Sequence, residues 1–190
     1  MRNTLIIIST TLVLTSPIVY IRSILKGLTK PHRTTRFVIT AITFLSAAAL
    51  FSDYRSAAFW LAAASALQAI TILLLTLRHG VGGWAKLDII CLVIAFVGVV
   101  FWQISNRPIV GLYASIVADF VGYVPAFVKT YRLPSTEDWR FFAMDSSAAF
   151  LSLLALATYS AFSSGYPIYL VLVNAGMVAL ILLRRRILKT

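Results

Sequence analysis

What most constrains this chain is the length of its apolar runs. A helix that crosses a bilayer needs about 20 mostly apolar residues, and the sequence divides into seven such stretches, roughly at 5–25, 37–52, 57–77, 87–104, 108–128, 139–161 and 166–183. They occupy nearly all of the 190 residues. Only short connections and a short tail remain, so no separate soluble domain, nucleotide-binding fold or disulfide module fits beside them. Each run is continuous and rich in Leu, Ile, Ala and Val, whereas a transmembrane barrel is written in strands of about ten alternating residues. Charged residues make up 12%, against about a quarter in soluble domains. The expected fold class is an all-α integral membrane protein of seven transmembrane helices, forming a single membrane domain over 1–190.

A net charge of +11 would suggest a polyanionic partner in a soluble protein, but here its placement has another meaning. Of the 17 Lys and Arg residues, 14 fall after the first, third and fifth stretches and in the tail, and Arg2, Arg55 and Arg107 fall on the other side. This is the positive-inside bias. It predicts an N-terminus outside and a C-terminus, with Arg184, Arg185, Arg186 and Lys189, in the cytoplasm of the inner membrane. No nucleic acid is required. The start, Met1-Arg2 and an apolar run, is read as the first span, because Pro17 interrupts the place where a signal-peptide cleavage site would follow.

The punctuation of the chain repeats. Pro17 lies late in span one and is followed by Arg22, Lys26, Lys30-Pro31 and Arg36-Phe37. Pro125 lies late in span five and is followed by Lys129, Arg132, Leu133-Pro134 and Arg140-Phe141. The spacings differ but the order agrees. It predicts two three-helix bundles, 1–77 and 108–183, joined by a linker helix at 87–104. Four spans separate the copies, an even number, so both have the same orientation and the repeat is parallel.

A seven-span, three-plus-one-plus-three chain with a proline late in spans one and five resembles the SWEET and PQ-loop transporter superfamily. The residues after those prolines are Ile18 and Ala126, where the PQ signature has Gln. The closer resemblance is to a family of uncharacterised bacterial seven-span membrane proteins. It rests on Ala118-Asp119, Pro125, Lys129, Pro134 and Glu137, on Tyr166-Pro167 and Asn174, and on the first loop Gly27-Leu28-Thr29-Lys30-Pro31. The likeness covers nearly the whole chain and implies a fold more than an activity.

Polar groups inside hydrocarbon are costly and therefore informative. Asp119, midway along span five, reads either as a substrate, ion or proton site or as a structural carboxylate paired to a neighbouring helix. Asp145, placed near the cytoplasmic end of span six, is expected to snorkel or to sit on the helix dipole. Gln68 and Asn174 fall at matching places in spans three and seven. The resemblance implies that both face a central cavity, and the bland alternative is a hydrogen bond to a neighbouring helix. An amide pair donates and accepts at once, which suits a neutral polar solute. Pro17 and Pro125 remove the helical donors to Val13 and Val121 and are candidate hinges. Ala118, Gly122 and Ala126, and likewise Ala58, Ala62 and Ala66, form small-residue stripes expected to be packing seams. Lys129, Arg132, Glu137 and Arg140 are a candidate cytoplasmic gate or solvated anchors.

Little else carries chemistry. Cys91 is the one cysteine and reads as a packing residue. His32 and His79 lie in loops without an acidic partner motif, so no metal site is expected. Gly80, Gly82 and Gly83 form a turn, not a phosphate cradle. Span seven has no Lys for a retinal Schiff base. No catalytic motif or cofactor site is present, and an intramembrane enzyme using Asp119 and Asp145 ranks last. The expected function is a small-solute transporter working by alternating access about the two prolines, with a non-transporting receptor or accessory protein of the same fold as the alternative. The expected partners are the lipid bilayer, a small polar solute and further copies of the chain if it assembles.

Overall fold

The computed structural model describes residues 2–82, 86–105 and 107–188. Met1, Gly83, Lys189 and Thr190 lie outside the described residues, as does the side chain of Cys91. Every long element described is a helix. In chain order they are α1 (Arg2–Leu25), α2 (Arg33–Leu50), α3 (Ala57–His79), α4 (Lys86–Ser105), α5 (Pro108–Arg132), α6 (Trp139–Leu154) and α7 (Ala161–Ile187). Short 3-10 turns, Phe51–Asp53 and Pro134–Thr136, extend α2 and precede α6. Among the described residues there are no strands, and extended pairing is limited to a single bridge between His32 and Val81.

Five helices are long and apolar enough to cross a membrane: α1, α2 with its 3-10 extension, α3, α5 and α7. Large apolar side chains stand exposed around the perimeter, among them Ile7, Phe44, Leu74, Phe96, Val117 and Leu172. Lipid tails are the solvent that makes such a surface stable. Such a surface is compatible with a multi-pass membrane protein.

The sixth and seventh helices depart from the boundaries expected for them. The apolar run predicts span six over 139–161, but α6 stops at Leu154 after 16 residues, a rise of about 24 Å. A non-helical link follows, and α7 begins at Ala161, not 166. The cause is a capping box: Ser160 Oγ accepts from the Ser163 amide at 3.1 Å, and Ser163 Oγ accepts from the Ser160 amide at 3.1 Å. The second hydroxyl also donates to Thr158 O at 2.8 Å. Capping satisfies amides that a helix start leaves orphaned, and so fixes a new helix inside what reads as one apolar run.

Helices pack in a definite order. α1 lies on α3 and α6, α2 on α3 and α5, and α7 on α5 and α6, while α4 covers α5 with a smaller contact to α2. Small residues set the closest approaches. Ala58 and Ala62 are 0% exposed, and a Cβ added at Gly122 would lie 2.5 Å from Val38 Cγ1. The small-residue stripe of α5 is thus a seam against α2. Two ends result. At one, the α1–α2 and α5–α6 links meet through the Lys30 amide donating to Thr136 O at 3.1 Å, and α7 closes on them. At the other, Arg2, Asp53, Arg55 and Thr158 line one cavity.

Candidate functional site

Asp119 sits on α5 one and a half to two turns before Pro125 and is 3% exposed. Tyr169 of α7 donates to its Oδ2 at 2.5 Å, while Oδ1 is buried with no hydrogen-bond partner. The carboxylate therefore faces the interior beside α7 and is only half satisfied. Asn174, 2% exposed, is in the same condition. Its amide nitrogen donates back to Leu170 O in its own helix at 2.9 Å, and its oxygen is left without a partner.

Gln68 does cross to neighbouring helices. Its Nε2 lies 2.9 Å and 3.0 Å from the two oxygens of Asp145 on α6, and 2.7 Å from Ser16 Oγ on α1. Ser16 in turn donates to Asp145 Oδ1 at 2.6 Å. This corrects the reading of Asp145 as a snorkelling or dipole-bound residue. It lies about two turns into α6, turned inward, where an amide and a hydroxyl hold it. Because α6 ends at Leu154, Asp145 is close to the middle of its helix and not near the membrane surface.

Several residues of the site are not singled out by the sequence pattern, among them Ser16, Tyr169 and Arg36. Arg36, counted there among the cytoplasmic cations, is 6% exposed. Its guanidinium lies 4.7 Å from the Tyr20 ring centre and 5.4 Å from that of Phe141, and Arg is the cation best suited to aromatic faces. The only signal was the polar row Arg36, Thr40 and Thr43 on one face of α2, at i, i+4 and i+7.

These groups meet. A cavity of about 30 Å³ is lined by Arg36, Asp119, Asp145, Gln68 and Asn174, with Thr43, Ser65, Tyr123 and Tyr166 completing its polar wall. All three residues singled out as a binding set, Asp119, Gln68 and Asn174, reach it from α5, α3 and α7. A volume of this size takes one or two water molecules, so the conformation is closed around its centre. Chemically it offers both charge signs: a guanidinium with donors only, two carboxylates and two amides.

A second network closes the end where the loops gather. Glu137, 2% exposed, accepts from Tyr20 at 2.7 Å and pairs with Lys129 at 2.5 Å. Lys129 also donates to Lys30 O, and Arg185 holds the Glu137 carbonyl. Of the candidate gate set, the structure brings Lys129 and Glu137 together. Arg132 and Arg140 stand exposed outside the contact. Tyr20 links the two networks, since its ring carries Arg36 and its hydroxyl bonds Glu137.

Pro17 and Pro125 both lie inside continuous helices, about two turns before the helix ends. Of the histidines, His79 lies against its own helix at Leu75 O and His32 beside Thr35. Among the described residues no group of three or more His, Cys, Asp or Glu could hold a metal ion. Gly82 has a positive φ of 73°, which a turn of this kind requires and an L side chain rarely adopts. Comparison with protein-family models, with curated proteins and with solved structures finds no match.

Proposed function

We propose that the protein is a small-solute transporter of SWEET-like build, with seven spans, in which the bundles α1–α3 and α5–α7 rock about Pro17 and Pro125. The carrying observation is the closed central cavity, walled by both halves with a guanidinium, two carboxylates and two amides. Asp119 Oδ1 and Asn174 Oδ1 have no hydrogen-bond partner within the protein, so each can take a donor from water or from a solute. The solute is small and polar, giving donors to those oxygens and an acceptor to Arg36.

Helix pairing supports the two-bundle reading. Exchange of α1 with α5, α2 with α6 and α3 with α7 turns the α1·α3, α2·α3 and α1·α6 contacts into α5·α7, α6·α7 and α2·α5. The pseudo-symmetric halves would move against each other around a fixed site. Glu137, Lys129 and Tyr20 form the gate at the cytoplasmic end. The second reading, a non-transporting receptor or accessory protein, draws on Gln68 and Asp145, whose direct bond ties the halves together as glue.

Accessibility separates them without knowing the solute. In protein carrying Cys91→Ala and Ser65→Cys, reconstituted in vesicles, a membrane-impermeant thiol reagent is expected to reach the cavity cysteine from either face. Labelling from one face only, or from neither, removes alternating access. Uptake of a panel of radiolabelled polar solutes then identifies the substrate.

A further inference from the structure

Outside the central site, an open pocket of about 610 Å³ lies between the α5–α6 link, the α1–α2 loop and the last turns of α7. Three guanidinium groups line it, from Arg132, Arg140 and Arg185. Arg185 is fixed, its Nε donating to Pro134 O at 3.1 Å and its Nη2 to Glu137 O at 2.5 Å. Arg132 and Arg140 are exposed and make no side-chain hydrogen bond or ion pair with the described residues.

Two acids also border the pocket and offset part of its positive charge. Glu137 is committed to Tyr20 and Lys129, and Asp138 accepts from the Arg140 amide at 3.0 Å as the N-cap of α6. Asp138 keeps its charge, so three guanidiniums face two carboxylates, of which Glu137 is already offset by Lys129, and the pocket stays net positive. Its rim is apolar: Leu28, Leu133 and Leu188 are 62%, 56% and 59% exposed. Cations in a cleft with hydrocarbon at its lip, at the ends of membrane helices, complement a ligand that is anionic at one end and apolar at the other.

We infer that this pocket binds the phosphate headgroup of an anionic phospholipid, with Arg132 and Arg140 on the phosphate and the acyl chains leaving over the leucines. Guanidinium forks match phosphate oxygens two at a time. The lipid would brace the α5–α6 link, which carries Glu137.

Phosphate chemistry has two sources here, lipid and free anion, and the test separates them. The intact protein in detergent is titrated with phosphatidylglycerol, with phosphatidylcholine and with inorganic phosphate, and retained ligand is read by native mass spectrometry. Phosphatidylglycerol is expected to be retained in preference to phosphatidylcholine. Each basic residue near an anionic lipid contributes a factor of about 5, so Arg132→Gln with Arg140→Gln is expected to reduce that preference roughly 25-fold. Both side chains are exposed, so folding is not at stake, and Arg132→Lys with Arg140→Lys should keep most of the preference. The control pair Arg2→Gln with Arg55→Gln, at the other end of the bundle, should change nothing. An unchanged preference in the Gln pair, or equal loss in the control pair, overturns the site. Inorganic phosphate that displaces the lipid at equal concentration overturns the lipid assignment in favour of a free anion.

Discussion

Ser16 has one proton and two acceptors near it. Asp145 Oδ1 is at 2.6 Å, and Val13 O, the carbonyl that Pro17 deprives of its helical donor, is at 3.2 Å. The shorter contact holds the proton in this conformation, and a shift to Val13 would release Asp145 as the α1 hinge flexes. Ser16→Ala is expected to lower stability by about 1.5–3 kcal/mol, the range for a hydrogen bond to a charged group, read as a reduced thermal midpoint in detergent. An unchanged midpoint would show that the hydroxyl holds nothing. Asp119→Asn keeps the shape and can still accept from Tyr169, but it cannot gain and lose a proton. If movement of the solute is coupled to protons, this variant binds solute and loses concentrative uptake; unchanged pH-dependent accumulation would make Asp119 a structural residue. Asp119, Gln68 and Asn174 were legible because a polar residue in the middle of an apolar run has no cheap surface location. Arg36 and Asp145 were not, because charges near the ends of such runs look affordable. Their burial comes from Tyr20, Phe141 and Gln68 on other helices, which no local pattern displays.

At the scale of the element, α5 and α2 touch through the absence of a side chain. A Cβ at Gly122 would fall 2.5 Å from Val38 Cγ1, and valine, stiff at χ1, has little room to turn away. Gly122→Ala gains helix propensity yet is expected to destabilise, by about 1–3 kcal/mol for overpacking. Val38→Ala in the same chain should restore most of the loss, and a double-mutant cycle of denaturation midpoints measures the coupling. Additive effects would mean that the helices do not meet there. The seam was visible as Ala118, Gly122 and Ala126 at four-residue spacing, but its partner helix was not. The break between α6 and α7 stayed hidden for a related reason: Ser160 and Ser163 are small residues in an alanine-rich run, and serine for serine is a weaker signature than the Ser–Glu form of the capping box.

For the molecule as a whole, the two ends differ in charge and in the chain terminus they carry. Arg2 borders a cavity with Asp53, Arg55 and Thr158, whereas Arg184 and Arg185 donate to Tyr131 O and Pro134 O where the basic loops gather. The first helix therefore starts at one end of the bundle and the last finishes at the other. Basic residues retained on the cytoplasmic side orient such a bundle during insertion, and the imbalance of 14 against 3 leaves little competition. Reporter tags fused at Met1 and Thr190 are expected to lie on opposite sides of the membrane, the second in the cytoplasm. α6 decides whether this holds, because its 16 residues rise only about 24 Å against a hydrocarbon core of about 30 Å. Its polar link to α7 must then reach the outer boundary by thinning the bilayer locally or by keeping its polar groups bonded within the protein, as Ser163 does for Thr158 O. A tag inserted in the link at Ala157 should report the outside together with Met1. Both terminal tags on one side, or the link tag in the cytoplasm, would mean that α6 does not cross, and the seven-span arrangement would fall.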